Sequence, residues 1–411
     1  MSHSPDTSSS LRPAVLARAW PVFALLLCIN LFNYIDRQVL YAVFPLVKVD
    51  LSLSDTALGF LGSSFMLVYM FCAPAIGYFA DSGRRPLWLG AGTILWSFAT
   101  ALAGISKNYA QLLFARSAVG IGEAAYTTVA PSYLAEYFPA GMRARIMAFF
   151  TAATPVGSAA GYILGGLIAQ HYSWRAAFYA VGLPGLLLGL LALKLSDSRV
   201  RTPGADRPKF SDYAKLLHNR MFRLTALSAA AATFTLGGLA AWMPSYFTRY
   251  FGYSVGQAGL TFGTLTVAAG LLGTLLGGCA ADWLLKKTEK AYFWVSACGF
   301  LISLPLALAA LYANSPQQAL VFFFAAEAAV FAHSGPLNAA IIAHSPENRR
   351  SMAFAAFVFI IHALGDAFSP TAIGALSDLF TLKIAVAICV CVLGIAAIFS
   401  LMAALPQRET T

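Results

Sequence analysis

Apolar residues run along this chain in long unbroken stretches, and polar residues gather in short punctuating segments between them. The strict alternation of a membrane β-barrel strand is missing. A helix that crosses a bilayer needs about 20 apolar residues. The pattern predicts twelve such helices, at about 20–47, 54–80, 86–106, 109–137, 144–170, 174–195, 221–250, 255–284, 291–313, 316–344, 351–378 and 381–405. The one long polar stretch, Ser196 to Arg220, contains Pro203, Gly204 and Pro208. The predicted fold is thus all-α and membrane-spanning, with six-helix bundles at 1–195 and 221–411 joined by a linker at 196–220.

Composition sharpens this picture. Of 411 residues 59% are hydrophobic and 11% charged, with a mean hydropathy of +0.71. Average soluble chains carry about 25% charged residues, so a soluble enzyme and a disordered chain are both excluded. The net charge of +10 would suggest nucleic acid in a soluble protein. Here the basic residues sit between apolar runs and follow a topological rule instead. With the N-terminus inside, 20 Lys and Arg fall on the inner side and 5 on the outer, and Arg37 and Arg116 lie within spans. Both termini are therefore expected in the cytoplasm, with the chain in the cytoplasmic membrane and no nucleic-acid partner. The Ser-rich segment from Met1 to Ser10 reads as a polar tail rather than a cleavable signal. The six cysteines lie in apolar runs without metal-ligand spacing. No phosphate-cradling glycine loop or Ser-His-Asp grouping is present. We expect no enzyme, no cofactor and no metal, but a monomer whose partners are the bilayer, protons and a small solute.

Ionisable residues inside spans point to function, because each costs roughly 2.5–3.5 kcal/mol at mid-membrane. Span 1 holds Asp36 and Arg37; span 4 holds Arg116 and Glu123 on one face, two turns apart. Gly120 and Gly122 beside Glu123 permit close helix approach. Such a set either staples helices or moves a proton. Desolvation favours the protonated carboxyl and a neighbouring arginine the ionised one, so swapping partners between two conformations would carry a proton. In the second half, Glu327 matches Glu123 at an offset of 204. His362 and Asp366 are four residues apart on one face, as a proton relay or a structural hydrogen bond. His333 precedes the helix-weakening run Ser334-Gly335-Pro336. In span 7, Trp242 follows Gly237-Gly238 and precedes Pro244, and either lines a cavity or anchors at the interface. Phe234, Phe331, Phe357 and Phe359 add an apolar side opposite the charged first half.

The halves repeat. Gly77-Tyr78-Phe79-Ala80-Asp81 after span 2 parallels Gly278-Cys279-Ala280-Ala281-Asp282 after span 8, and Arg145-Ile146-Met147-Ala148-Phe149 parallels Arg350-Ser351-Met352-Ala353-Phe354. Two parallel six-helix repeats resemble the major facilitator superfamily. The loop from Gly77 to Arg85 resembles its signature, with Ser82 where a basic residue is usual. Asn33 to Arg37, Arg116 with Val119 to Tyr126 and Ala130-Pro131, Pro155 to Ser158, Gly161-Tyr162, and His362 to Pro370 resemble the spinster branch. That resemblance implies that Asp36, Arg37, Arg116 and Glu123 line a central cavity and act in coupling. Substrate contacts are expected from Arg37, Arg116, Tyr34, Tyr126, Trp242, Glu327, His362 and Asp366. Gating contacts are expected from Asp81, Arg84, Arg85, Arg145, Asp282 and Arg350. The function this implies is proton-coupled alternating-access transport of an amphipathic, anionic lysolipid or sphingoid-like solute. A carrier of small organic anions, a multidrug exporter and a non-transporting sensor are the alternatives.

Overall fold

The computed structural model describes residues 8–82, 84–197, 216–345 and 350–405. Among these, every element of ten residues or more is a helix. They are α1 (Ser8–Asp50), α2 (Asp55–Ser82), α3 (Arg85–Ile105), α4 (Tyr109–Tyr137), α5 (Ala140–His171), α6 (Trp174–Leu193), α7 (Arg220–Phe251) and α8 (Val255–Leu285). They continue with α9 (Ala291–Leu311), α10 (Pro316–Phe331), α11 (Ser334–Ala343), α12 (Arg350–Ile361), α13 (Ser369–Leu379) and α14 (Leu382–Ala404). Eleven described spans are long and apolar enough to cross a membrane, with α10 and α11 forming one and α12 and α13 another. The twelfth, α4, has 29 residues and carries Arg116 and Glu123. The protein is a multi-pass helical membrane protein, as the hydropathy pattern indicates.

Local chemistry explains the helix starts. Asn108, Ser173, Ser254, Ser315 and Thr381 each accept a hydrogen bond from a backbone N–H in the first turn of α4, α6, α8, α10 and α14. Ser54 does the same for α2 through Ala57 N at 3.1 Å. Such caps are worth about 1 kcal/mol each. Arg84 and Pro139, ahead of α3 and α5, make no side-chain cap bond. The C-terminus of α7 is closed by Gly252 at φ +66°, a left-handed conformation that glycine adopts without Cβ strain.

Two spans are broken. Span 10 stops at Phe331 and restarts at Ser334, where the His333-Ser334-Gly335-Pro336 run weakens it. Span 11, expected as one helix, has a wide π-helical turn at His362–Asp366 with Gly365 at non-helical φ −101°, ψ −107°. Pro370 then sits in the first turn of α13, where its missing N–H costs nothing.

The chain groups into two compact units, 1–40 with 68–200 and 41–67 with 201–411. The C-terminal end of α1 and the N-terminal half of α2 thus cluster with the second unit, while their remaining turns belong to the first. In the first unit α3 packs on α4 through Gly92 and Gly122. A Cβ on Gly122 would lie 2.6 Å from both Gly92 O and Trp96 N. In the second unit α7 and α14 are cross-linked by Ser228 Oγ, 2.7 Å from Ser400 Oγ, and by Thr235 Oγ1 donating to Cys389 O at 3.0 Å. Around them Phe222, Phe293, Phe300, Leu337, Phe357 and Leu393 form a core.

Candidate functional site

The first unit buries a four-membered charge network. Asp36 and Arg37 are consecutive on α1, so their side chains diverge by about 100° around the helix. Asp36 Oδ1 accepts from Arg116 Nη1 at 2.9 Å, and Asp36 Oδ2 accepts from the Thr100 hydroxyl on α3. Arg37 Nε donates to Glu123 Oε2 at 2.7 Å. Two consecutive residues of α1 are therefore paired with partners two turns apart on α4. The Asp36 and Arg116 side chains are each 1% exposed and Glu123 is fully buried, whereas Arg37 keeps 14% exposure. Rings of Tyr34 and Tyr69 stand 5.1 and 5.3 Å from the Arg37 guanidinium carbon.

Local packing holds this arrangement. Gly157 and Gly161 bring α5 against α1, where a Cβ would meet Leu31 O at 2.7 Å and Ile35 O at 2.5 Å. Asn30 Nδ2 donates to Phe150 O at 2.9 Å, and Tyr69 Oη lies 2.8 Å from Thr127 Oγ1. Among the buried polar atoms without a hydrogen-bond partner in the described residues are Glu123 Oε1 and both amide atoms of the fully buried Asn33. Buried polar atoms are seldom left so. Two acids and two arginines can hold each other in a dry site, and removing one member of a buried pair costs about 3–5 kcal/mol.

The second unit places its candidates apart from one another. Glu327 lines a small cavity of about 20 Å³ with Thr235, Leu239, Phe247, Phe262 and Phe323. Its Oε1 accepts from Thr266 at 3.2 Å, and its Oε2 is buried without a partner. His362 Nδ1 lies 2.9 and 3.1 Å from the two Asp366 oxygens, bridging the π-helical turn.

Two aromatic residues assigned to substrate on sequence grounds are packed inside protein. Trp242 is fully buried, with Nε1 donating to Pro370 O at 2.8 Å and its ring against Phe44. Tyr126 is fully buried, donates to Leu26 O at 2.5 Å and meets Trp96 edge-on. Each polar handle is thereby satisfied by backbone rather than offered to a ligand. Phe357 is likewise buried in the core, and Phe359 is 46% exposed on the surface.

Of the expected gating residues, Arg84, Arg145, Asp282 and Arg350 are exposed at helix ends, and the Asp81 side chain lies outside the described residues. Arg85, by contrast, is buried in a charge cluster. It is 4% exposed and forks onto Glu136 at 2.7 and 2.5 Å, with Asp197 at 2.9 Å. Tyr133 and Tyr137 both donate to Ser196 O, so the chain leaving α6 is bound to the ends of α3 and α4.

A second charge cluster was not anticipated. Asp55, 3% exposed at the start of α2, accepts from Lys48 of α1. It also accepts from Arg249 Nη1 and Nη2 of α7 at 2.6 and 2.7 Å, and from Ser377 Oγ of α13 at 2.5 Å. Asp378 caps α2, accepting from Asp55 N at 2.9 Å and Thr56 N at 2.8 Å. The signal lay in Lys48, Asp55 and Arg249 themselves, all at span ends, where charge reads as topology.

Comparison with known proteins agrees with this architecture. The family model for the Major Facilitator Superfamily matches residues 26–370. The chain is 34% identical over 383 residues to protein spinster of Drosophila melanogaster, covering 87% of this chain and 62% of that protein, less than two thirds of its length. It is 31% identical over 398 residues to the sphingosine-1-phosphate transporter SPNS2 of Xenopus tropicalis, covering 92% and 77%. Its fold matches the crystal structure of a bacterial homolog of the human lysosomal transporter spinster, in an inward-facing and unoccupied conformation. That match has a TM-score of 0.85 at 24% identity and covers 94% and 97% of the two chains. These relatives are transporters rather than enzymes. A helical membrane chain with a buried charge network on its first and fourth spans, matched over most of its length, thus belongs to the major facilitator superfamily as a transporter of spinster type.

Proposed function

We propose that this transporter couples protons to the movement of an amphipathic solute with an anionic head and a single apolar tail. The observation that carries the reading is the Arg37–Glu123 pair, in which the arginine is 14% exposed and the carboxylate fully buried. An incoming phosphate or carboxylate can reach Arg37 and take its donors through charge-assisted hydrogen bonds. Glu123 then loses the partner that offsets its desolvation, and taking a proton removes that cost. Anion occupancy and protonation are thus linked through one guanidinium. In the second unit, Glu327 with its unpartnered oxygen is assigned as acceptor for a hydroxyl or ammonium donor of the solute. The sphingosine-1-phosphate named for SPNS2 belongs to this chemical class. In this reading both termini lie in the cytoplasm and the chain in the cytoplasmic membrane, which the excess of Lys and Arg in one set of loops supports.

Proteoliposomes with an imposed pH gradient test the proposal, using single-chain phospholipid and sphingoid phosphates of graded length. Glu123→Gln is expected to abolish gradient-driven uptake while counterflow at equal pH continues. Arg37→Ala is expected to weaken anionic-head analogues by about 10- to 100-fold, the worth of a hydrogen bond to a charged group, and neutral ones little. Affinity should rise about fourfold per methylene buried from water. Tight binding of a tail-free sugar acid with no chain-length gain would establish the small-anion reading instead. Binding without counterflow would establish a sensor.

A further inference from the structure

A crevice of about 330 Å³ opens on the surface of the second unit between α8, α9 and α10. Its floor is made of small residues, Gly277, Ala280, Gly299 and Ala329 among them, and its walls of Leu276, Leu284, Trp294 and Ile302. From Leu276 to Leu284 it runs along α8 for about 12 Å. The end nearest the α8–α9 loop is not apolar. Lys286 and Lys287 follow Leu285, the last residue of α8, and Lys290 closes the loop one turn ahead of Trp294. The Lys287 ammonium stands 4.0 Å from the centroid of the Trp283 ring, which is 58% exposed, and Trp294 is 37% exposed. Asp282 and Glu289 are the acidic neighbours, leaving the loop net positive.

We propose that this crevice is a binding site for an anionic phospholipid of the surrounding bilayer. One acyl chain lies along α8 over the small residues, and the phosphate rests on the loop lysines at the tryptophan level. The charge is what selects the occupant. Inside a bilayer a chain leaving other chains gains packing but no hydrophobic transfer energy, because lipid tails are as apolar as leucine. A bare apolar slot would therefore not discriminate among lipids. Three lysines beside two interfacial tryptophans do, since each basic residue near a membrane surface favours an anionic headgroup by about fivefold. The site is separate from the Asp36–Glu123 network and from the Glu327 cavity, and no substrate role is assigned to it.

The test uses the full-length protein in phosphatidylcholine nanodiscs containing a small fraction of lipid with brominated acyl chains. Quenching of Trp294 is read as wild type minus Trp294→Phe. Brominated phosphatidylglycerol is expected to quench at a mole fraction at least tenfold lower than brominated phosphatidylcholine. Lys286→Gln/Lys287→Gln/Lys290→Gln should abolish that preference, and Ala280→Leu, which fills the crevice at an exposed position, should reduce quenching by both lipids. Equal quenching by the two lipids in the wild type overturns the proposal. So does a preference that persists in the triple lysine variant while its circular dichroism matches the wild type.

Discussion

Asp55 is the point at which the structure concentrates the most hydrogen bonds from basic groups on one carboxylate. Replacing it with Asn keeps the shape but removes the charge and turns one acceptor oxygen into a donor. That donor would face Lys48, Arg249 or Ser377, each of which already donates. Breaking a fully buried ion pair costs about 3–5 kcal/mol. Lys48 and Arg249 are 34% and 28% exposed, so water recovers part of that, and exposed pairs are worth about 0–1 kcal/mol. We take about 2–3 kcal/mol for the change, or roughly 30- to 150-fold in an opening equilibrium. The opening is local, because the cluster joins the ends of α1, α2, α7 and α13 and not their middles. Amide hydrogen exchange followed by mass spectrometry reads this directly. Peptides covering 41–51 and 371–379 in Asp55→Asn should lose protection by that factor, while peptides in the middle of α7 hold theirs. Arg249→Gln alone should have a smaller effect, and the double variant should be no worse than Asp55→Asn. Protection within threefold of wild type at both helix ends would refute the reasoning.

Two further outcomes follow from packing. Gly122→Val puts a branched side chain where even a Cβ would lie 2.6–2.8 Å from Gly92 O and Trp96, so it should separate α3 from α4 and lower the thermal midpoint in detergent, with Gly122→Ala milder. Trp242→Phe retains an aromatic ring but loses the 2.8 Å bond to Pro370 O, and should cost about 0.5–1.5 kcal/mol of stability, the net worth of one hydrogen bond, with apparent substrate affinity unchanged.

Much of this site was legible before any coordinates, and the reason is solvation. Asp36, Arg37, Arg116 and Glu123 stand out because a charge in a run of apolar residues needs a partner, and these were the charges available to one another. Their pairing was less readable: nothing in the sequence says that Asp36 meets the earlier α4 residue, Arg116, and Arg37 the later one, Glu123. Asp55 was hidden for the opposite reason. A charge at a helix end costs little in water, so nothing in the sequence separates a topology marker from a clustered group. Its partner Asp378 lies 323 residues away. The π-helical turn at His362 was equally silent: 351–378 reads as one apolar run, and its Pro370 is no sharper a signal than Pro74, Pro131, Pro155 or Pro244, which lie inside unbroken helices. Tyr126 and Trp242 carry both a flat apolar face and a polar handle, and sequence alone does not say whether backbone or solute takes the handle.

The crossed pairs on α1 and α4 also bear on electrical work. Two carboxylates and two guanidiniums sum to zero, and a monoanion arriving with one proton leaves that sum unchanged. Moving one net charge through a membrane potential of 100 mV costs or yields about 2.3 kcal/mol. A neutral assembly moves none, empty or loaded. On the proposed mechanism this network gives voltage nothing to act on, and collapsing the potential with valinomycin and potassium at constant pH gradient is expected to leave the rate unchanged.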